Sequence, residues 1–436
     1  MNTLAWIGEA ITMKQKRPKI IAVACFVAGI LAGSYFATHS PPSFIDTAEA
    51  QAGVVKSPQG TAPDRYVYYP GTEALRPEEI RVIACGTGMP SARRSQAATC
   101  FLVELGDGQK FLFDIGSGSH ANLQALMIPS DYLTKVFLTH LHTDHWGDLA
   151  SLWAGGWTAG RTVPLEVWGP SGTRPDMGTK HAVEHLLQAY NWDYMTRASA
   201  IAPGPGVINI HEFDYRGLNQ IVYQEKGVTI RSFPTIHTGD GPVSYSLQWN
   251  GFKIVIGGDT APNKWFVEYA KDADLAIHEA WLTARTMMTK YGQPAQLAAR
   301  INLYPMHTSA QAFGKIISTV KPRHAVAYHF FNDEDTRYEV YDGIRQTYDG
   351  PLSMADDMMV WNITRDRITE RMAVSPDDAW DVPGPNQAPE PDRTRASEYT
   401  QFTLDGKFDT RDVDALWLEE FMKEHNLTED DLKVGR

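Results

Sequence analysis

The sequence predicts an α/β fold in which two mixed β-sheets pack face to face and are covered on their outer sides by helices. Short apolar segments that are typical of buried strands alternate with helical segments at 177–198, 264–270 and 309–319, and this alternation places helices against sheets. The chain has 436 residues, 43% of them hydrophobic, which is enough for a large core. We therefore expect one catalytic domain with appended segments.

The N-terminal region has the pattern of a targeting segment. Four basic residues precede an apolar run at 20–37 and small residues at 48–52 suit a cleavage site; the basic residues are Lys14, Lys16, Arg17 and Lys19. We expect residues 1–39 to be a secretory signal peptide or an uncleaved membrane anchor, since the apolar run is close to the length that spans a bilayer. Either alternative implies export, to the periplasm or to the inner membrane. Residues 40–62 are predicted to be a linker because small residues and proline are frequent there.

The catalytic domain is predicted at 63–372 and a C-terminal extension at 373–436. A proline-rich connector at 383–391 leads to residues 413–425, where apolar and acidic positions follow helical periodicity. We expect an amphipathic helix there that packs on the domain or on a second copy of the chain, and a homo-oligomer is the predicted assembly.

The most informative motif is Thr-His-Leu-His-Thr-Asp-His at 139–145, directly after an apolar segment. Alternate side chains of an extended segment share a face, so His140 and His142 can bind one metal ion. Asp144 and His145 lie in the turn beyond and can face a second ion. Imidazole and carboxylate are the ligands of open catalytic zinc sites. Further donors occur where other apolar segments end, at His237, Asp259 and His329.

The order of these donors resembles the metallo-β-lactamase superfamily, and further segments resemble its ribonuclease Z-like branch. These segments are GTGMPSARR at 86–94, FDIGSG at 113–118, PLEVWGP at 164–170, GDT at 258–260, HEA at 278–280 and HTS at 307–309. The match covers about residues 81–330. From about residue 60 onward the chain also resembles subclass B3 metallo-β-lactamases with a ribonuclease Z-like body. The resemblance implies the αββα metallo-β-lactamase sandwich.

The resemblance also implies two zinc ions per subunit and assigns a ligand role to each donor. The ligands of the first zinc ion are His140, His142 and His237. The ligands of the second are Asp144, His145 and His329, and Asp259 bridges both ions. The lack of a cysteine among these ligands is typical of B3-type lactamases, whereas the bridging aspartate is typical of ribonuclease Z.

Two zinc ions in one site predict hydrolysis. A water shared by both ions loses its proton near neutral pH and becomes a hydroxide nucleophile, while the ions polarise the bond under attack. Asp144 is the candidate to orient this nucleophile and take its proton. His278 and His307 are alternative candidates for the proton donor to the leaving group. Glu279 can assist that transfer or hold a ligand in place, and Asp114 is either such a support or a turn former.

Charge ranks the possible substrates. The chain has 40 basic and 52 acidic residues, with no basic run outside the N-terminal region, whereas a tRNA-binding protein needs clustered Lys and Arg. We therefore place a B3-type β-lactamase-like activity on a small amide or ester first, with a small molecule ranked above nucleic acid as the partner. The alternatives are a ribonuclease Z-like phosphodiesterase of the tRNA 3′ endonuclease type and a metallohydrolase of specialised-metabolite (guanitoxin-type) biosynthesis.

Overall fold

The computed structural model describes residues 66–430 apart from 92, 304–305, 380–381, 383, 387–388 and 390–398, together with 54–57, 60–63 and 432. The predicted targeting segment at 1–39 lies outside the described residues. None of the helices in the described part of the chain combines the length and the hydropathy that a transmembrane span requires.

Strands and helices alternate along the described chain. The strands are β1 (Val54–Ser57), β2 (Gly60–Pro63), β3 (Val67–Tyr68), β4 (Ile80–Gly86), β5 (Cys100–Leu105), β6 (Lys110–Phe113), β7 (Lys135–Phe137), β8 (Leu165–Pro170), β9 (Ile208–Phe213), β10 (Gln220–Glu225), β11 (Val228–Pro234), β12 (Val243–Trp249), β13 (Phe252–Ile256), β14 (Leu275–Glu279), β15 (His324–Tyr328), β16 (Leu352–Met354), β17 (Met359–Ile363) and β18 (Ile368–Ala373). The α-helices are Ser119–Ala125, Thr143–Trp146, Leu149–Thr158, Thr179–Ala189, Asn191–Ala198, Lys264–Tyr269, Ala284–Tyr291, Ala295–Leu303, Ala310–Val320, Glu334–Arg345, Gln401–Asp405 and Arg411–Glu424.

Two large mixed sheets contain most of these strands. Within the described residues, nine strands form the first sheet in the order β3-β18-β17-β4-β5-β6-β7-β8-β9, and seven form the second in the order β10 to β16. Strands β6 to β9 run parallel in the first sheet, as do β13 to β16 in the second. Parallel strands end at the same edge of a sheet, so the residues that follow them are brought together.

Strand β4 shows how the sequence builds the layers. Ile80 and Val82 face the opposite sheet, whereas Ile83 and Cys85 face the outer helices, since successive side chains of a strand point to opposite faces. Every residue of β4 is buried because both faces of the sheet are covered. Each large aliphatic side chain buried in this way stabilises the fold by about 1.5–3 kcal/mol.

A separate apolar layer lies under each set of helices. The helices Ser119–Ala125, Leu149–Thr158 and Thr179–Ala189 pack on the nine-stranded sheet through residues such as Leu123, Trp153 and Val183. The helices Lys264–Tyr269, Ala310–Val320 and Glu334–Arg345 pack on the seven-stranded sheet through residues such as Phe266, Phe313 and Ile344. The predicted αββα sandwich is therefore confirmed.

Three local features differ from the prediction or refine it. The predicted helical segment at 177–198 divides at Tyr190 into two helices. Part of the predicted linker forms two short strands, since β1 pairs antiparallel with β2. The predicted C-terminal helix is present as Arg411–Glu424, but Leu416 is 80% exposed and Trp417 is 55% exposed, so the described residues leave most of their apolar surface uncovered.

Candidate metal centre

The predicted metal ligands lie at one edge of the sandwich, just beyond the ends of four strands. His140 follows β7, and the short helix Thr143–Trp146 carries Asp144 and His145. The other donors follow β11, β13 and β15; they are His237, Asp259 and His329. The structure thus brings together all seven donors that the sequence predicted.

The first ligand group consists of His140, His142, His237 and Asp259, whose ligand atoms all lie within 4.8 Å of one another. His237 Nε2 is 3.1 Å from His142 Nδ1 and 3.8 Å from Asp259 Oδ2. Ligand atoms about 2.1 Å from one tetrahedral ion are roughly 3.4 Å apart. The spacing therefore suits a single divalent cation.

The second ligand group consists of Asp144, His145, Asp259 and His329, and it meets the same 4.8 Å limit. His329 Nε2 is 3.2 Å from Asp144 Oδ2 and 3.1 Å from Asp259 Oδ2. His145 Nε2 is 3.2 Å from Asp259 Oδ1. Because Asp259 belongs to both groups, its two oxygens are placed to contact two cations at once.

The chemistry of the buried donor atoms fits bound cations. Within the described residues, His140 Nε2 and Asp144 Oδ1 are buried and have no hydrogen-bond partner. His145 Nε2 and Asp259 Oδ1 are also buried and lie 3.2 Å apart without forming a regular hydrogen bond. Buried polar atoms without a partner are costly and rare in folded proteins. Converging lone pairs that lack donors are satisfied by a cation, so this set of residues is suited to hold metal ions.

Hydrogen bonds on the far side of the ligands orient them. Asp114 Oδ2 lies 2.7 Å from His145 Nδ1 and accepts a hydrogen bond from Thr139 Oγ1. His237 Nδ1 donates to the carbonyl oxygen of Met306 over 2.6 Å, which leaves Nε2 of that ring for the centre. Such contacts fix the tautomer and the orientation of ligating histidines. Of the two alternatives predicted for Asp114, this contact favours the one in which Asp114 orients a candidate ligand over the one in which it only forms a turn.

The electrostatics of the site suit metal binding. Burial lowers the pKa of His237 to about 4 and holds the pKa of His140 well below its ordinary value, so both rings are neutral and able to coordinate. Burial opposes the charge of Asp259, but the neighbouring His329 and His145 outweigh it and hold the pKa of Asp259 well below its usual range. Neighbouring carboxylates likewise outweigh burial and raise the pKa of His145 well above its ordinary value. The neutral rings of His140 and His237 thus lie beside an ionised carboxylate.

A carboxyl–imidazole pair stands beside the two ligand groups. Glu279, at the end of β14, is fully buried and its Oε2 lies 2.9 Å from His307 Nδ1. Glu279 Oε1 also accepts a hydrogen bond from the backbone N–H of Thr260. The His307 ring lies 4.9 Å from that of His237, and its side chain is 11% exposed. His307 therefore faces both the centre and solvent, as a proton donor must.

The aromatic ring of Trp281 has a role that the sequence analysis missed. It stacks on the His307 imidazole with the ring centroids 3.7 Å apart and the planes 5° from parallel. This contact restrains the His307 ring, and the Trp281 ring also lies 5.4 Å from that of His329. The available signal was the position of Trp281 in the chain, two residues after Glu279 and therefore on the same face of an extended segment.

The structure turns His278, the other candidate proton donor, away from the centre. Its ring is fully buried and packs edge-on against Phe266, 4.5 Å away, and near Phe313, 5.9 Å away. His278 and Glu279 are neighbours on β14, so when Glu279 points to the centre His278 points to the outer helices. Of the two predicted candidates, the structure places His307 alone at the centre.

Comparisons with known proteins identify the family of this chain. The family model described as the metallo-beta-lactamase superfamily matches residues 95–295. Ribonuclease Z of Mycobacterium marinum is 32% identical over 205 residues, which are 46% of this chain and 70% of that protein. Ribonuclease Z of Mycobacterium avium is 31% identical over 204 residues, which are 46% of this chain and 69% of that protein.

Solved structures include similar chains at lower identity. The metallo-beta-lactamase fold protein YhfI from Bacillus subtilis is 18% identical with a TM-score of 0.49, and the match covers 66% of this chain and 100% of that chain. The short form of human tRNase Z is 21% identical with a TM-score of 0.46, and the match covers 65% of this chain and 98% of that chain. From the sequence relatives and the sandwich with its edge site, the chain belongs to the ribonuclease Z-like branch of the metallo-beta-lactamase superfamily of hydrolases.

Proposed function

We propose that this protein is a dinuclear zinc hydrolase that cleaves phosphodiester bonds with ribonuclease Z-type chemistry. The observation that carries the proposal is the cluster of buried imidazole and carboxylate atoms that form no hydrogen bond within the described residues, beside the Glu279–His307 pair. The relatives named ribonuclease Z favour a phosphodiester over the β-lactam that the charge of the sequence placed first.

The ligand groups accommodate two zinc ions. His140, His142 and His237 would hold one ion and Asp144, His145 and His329 the other, with Asp259 shared between them. When bound, zinc ions supply Lewis acidity and make a water molecule acidic near neutral pH.

The chain's own residues divide the proton transfers between them. Asp144 Oδ1 is buried and has no partner among the described residues, so it can orient the attacking water and accept its proton. His307 uses Nδ1 in its contact with Glu279, which leaves Nε2 to donate a proton to the departing oxygen. The two groups thus act as base and acid on opposite sides of the scissile bond.

A second candidate function is hydrolysis of a small amide or ester, with B3-type β-lactamase activity as the example. The supporting observation is the net charge of −12, because proteins that bind long nucleic acids neutralise phosphates with clustered Lys and Arg. A hydrolase of specialised-metabolite biosynthesis has the same support. All three functions use the same ligands and the same proton donor.

The test is the specificity constant of the zinc-loaded protein on four substrates: bis(p-nitrophenyl) phosphate, a pre-tRNA, nitrocefin and a lactone. Cleavage of bis(p-nitrophenyl) phosphate is the expected result, with every activity lost together in His142→Ala. Turnover of nitrocefin or the lactone with no phosphodiester cleavage would replace the proposal by the second candidate. An activity that persists in His142→Ala would arise outside this centre.

We also propose export, which rests on the basic residues before the apolar run at 20–37. Fusion of residues 1–60 to alkaline phosphatase, which is active only outside the bacterial cytoplasm, tests it. Phosphatase activity in cells is expected, and an inactive cytoplasmic fusion would contradict export. Separation of membrane and soluble fractions then distinguishes an anchor from a cleaved signal.

A further inference from the structure

A cavity of about 640 Å³ adjoins the candidate metal centre. Its walls are the loop residues around 215–218 and 234–241, together with Trp265 and Met306. Two of the lining residues directly precede groups of the centre, since Ile236 precedes His237 and Met306 precedes His307. The cavity and the centre therefore share a wall.

The shared wall is held in place by hydrogen bonds. The Met306 carbonyl accepts from His237 Nδ1 over 2.6 Å, and the backbone N–H of Ala261 donates to the Ile236 carbonyl over 2.7 Å. Ile236, Thr238 and Met306 line the cavity whereas the His237 and His307 rings do not, so a group in the cavity would lie one residue along the chain from the centre. A substrate that extends from the centre past Ile236 and Met306 would reach the cavity.

The cavity surface is mainly apolar. Its lining includes the side chains of Leu218, Pro234, Ile236, Trp265 and Met306. Leu218 is 59% exposed, so much of its apolar surface is in water when the cavity holds no ligand. Covering such surface is favourable by about 25 cal/mol per Å².

The charges around the cavity disfavour a polynucleotide. Arg216 Nε and Nη2 each donate to an oxygen of Asp214 over 3.0 Å, so the positive charge of this lining residue is already paired. Asp240, another lining residue, accepts a hydrogen bond from Tyr215 Oη over 3.2 Å. A second phosphate of an RNA chain would lie against the Asp240 carboxylate, whereas an uncharged group would not be repelled.

We propose that this cavity binds the uncharged aromatic or aliphatic group of a small-molecule substrate whose scissile bond lies at the metal centre. The proposal rests on the proposed hydrolase function and names its substrate class: small diesters or esters with one bulky apolar substituent. Pockets for ligands of this kind have volumes of about 300–1,000 Å³, a range that includes the present cavity.

The first experiment measures kcat and KM of the zinc-loaded protein on methyl p-nitrophenyl phosphate and 1-naphthyl p-nitrophenyl phosphate, which share a leaving group. We expect a KM about tenfold lower for the naphthyl diester with a similar kcat, because apolar burial strengthens binding without touching the reacting atoms. Equal KM values for the two diesters would overturn the proposal.

Variants then locate the effect. Leu218→Asp introduces a charge into the cavity away from the ligands and should remove the preference for the naphthyl diester while the methyl diester is cleaved at the wild-type rate. Val163→Asp is the matched control, since Val163 is also exposed at 44% but does not line the cavity. Retention of the preference in Leu218→Asp would overturn the proposal.

A binding measurement separates this proposal from the proposed function. Calorimetric titration of the zinc-loaded protein with 1-naphthyl phosphate and methyl phosphate should show tighter binding of the naphthyl compound, lost in Leu218→Asp. That result with no turnover of any diester would refute the phosphodiesterase and leave the cavity assignment standing. Turnover of diesters without a naphthyl preference would support the phosphodiesterase and refute the cavity assignment. Weaker binding of an oligoribonucleotide in Leu218→Asp would assign the cavity to nucleic acid and overturn the proposal.

Discussion

Two aspartates removed from bulk solvent, Asp259 and Asp357, have opposite surroundings. Both oxygens of Asp357 accept hydrogen bonds: one from the N–H and hydroxyl of Thr87, the other from Ala97 N–H and Asn122 Nδ2. Asp259 instead faces ring nitrogens of three histidines, and its Oδ1 has no hydrogen-bond partner among the described residues. Both oxygens of Asp357 therefore have hydrogen-bond donors from the protein, whereas those of Asp259 do not.

The two environments shift the carboxyl pKa in opposite directions. Burial raises the pKa of Asp357 to about 6, and the hydrogen bonds from its neutral donors oppose that rise only in part. The pKa of Asp259 is held well below its usual range despite burial, because imidazoles surround it. In a polar network that only stabilises the fold, each buried polar atom has a hydrogen-bond partner. In a network that binds an ion, several ligand atoms converge on one point without such partners. This contrast, rather than the mere presence of acidic residues, identifies the metal centre.

The largest expected effect separates these two aspartates directly. Asp259→Asn should lose at least one zinc ion and lower kcat/KM on bis(p-nitrophenyl) phosphate by a factor of about 10³ or more, since metal-ion stabilisation of the transition state amounts to several kcal/mol. Metal content by mass spectrometry and steady-state kinetics measure both quantities. Asp357→Asn is the matched control and should keep both ions. Full metal content and activity in Asp259→Asn would contradict the proposal that Asp259, unlike Asp357, is a metal ligand.

The next effect concerns the two histidines that the sequence left as alternatives. His307→Ala should lower kcat by roughly 10²–10³-fold, as expected for loss of a general acid, with zinc content unchanged. His278→Gln, on the opposite face of β14, should retain activity within about threefold, because its ring contacts phenylalanines and not the centre. If His278→Gln proved the more damaging change in kcat for a folded, zinc-loaded protein, the assignment of the donor would be reversed.

A smaller effect is expected behind the ligands. Asp114→Asn removes the charge that lies 2.7 Å from His145 Nδ1 and should weaken zinc affinity by about 10–100-fold. Competition with a chromophoric chelator measures this affinity. Unchanged affinity would show that Asp114 serves the turn after β6 alone.

A further effect, on stability rather than on activity or metal affinity, is a pH dependence at Asp357. A raised pKa in the folded protein means that the stabilising contribution is complete below the pKa of an unfolded carboxyl, about 4, and is lost as the pH rises through about 6. The stability of the wild type relative to Asp357→Asn should therefore fall by up to about 3 kcal/mol between about pH 4 and pH 7. Urea unfolding of both proteins measures it, and a difference that rises over this range would contradict the account.

The metal ligands could be predicted because strand ends are visible in sequence. His140, His237, Asp259 and His329 each follow a buried strand, and parallel strands bring such positions to one edge. The layered fold was predictable for the same reason, since buried strands such as β4 and β5 are continuous apolar runs.

The features that were missed depend on finer geometry. The choice between His278 and His307 required knowing which face of β14 points to the centre, and a shift of one residue reverses that answer. The stack of Trp281 on His307 joins two segments that are distant in sequence. The cavity next to His237 is formed by three separate loops and Trp265, so no local pattern could indicate it.

The most direct test of the central claim is a crystal structure of the zinc-soaked protein with anomalous data at the zinc edge. The account predicts two anomalous peaks, one bonded to His140, His142 and His237 and the other to Asp144, His145 and His329, with Asp259 between them and bond lengths of about 2.0–2.3 Å. A single peak, or an Asp259 side chain turned away from both ions, would contradict it.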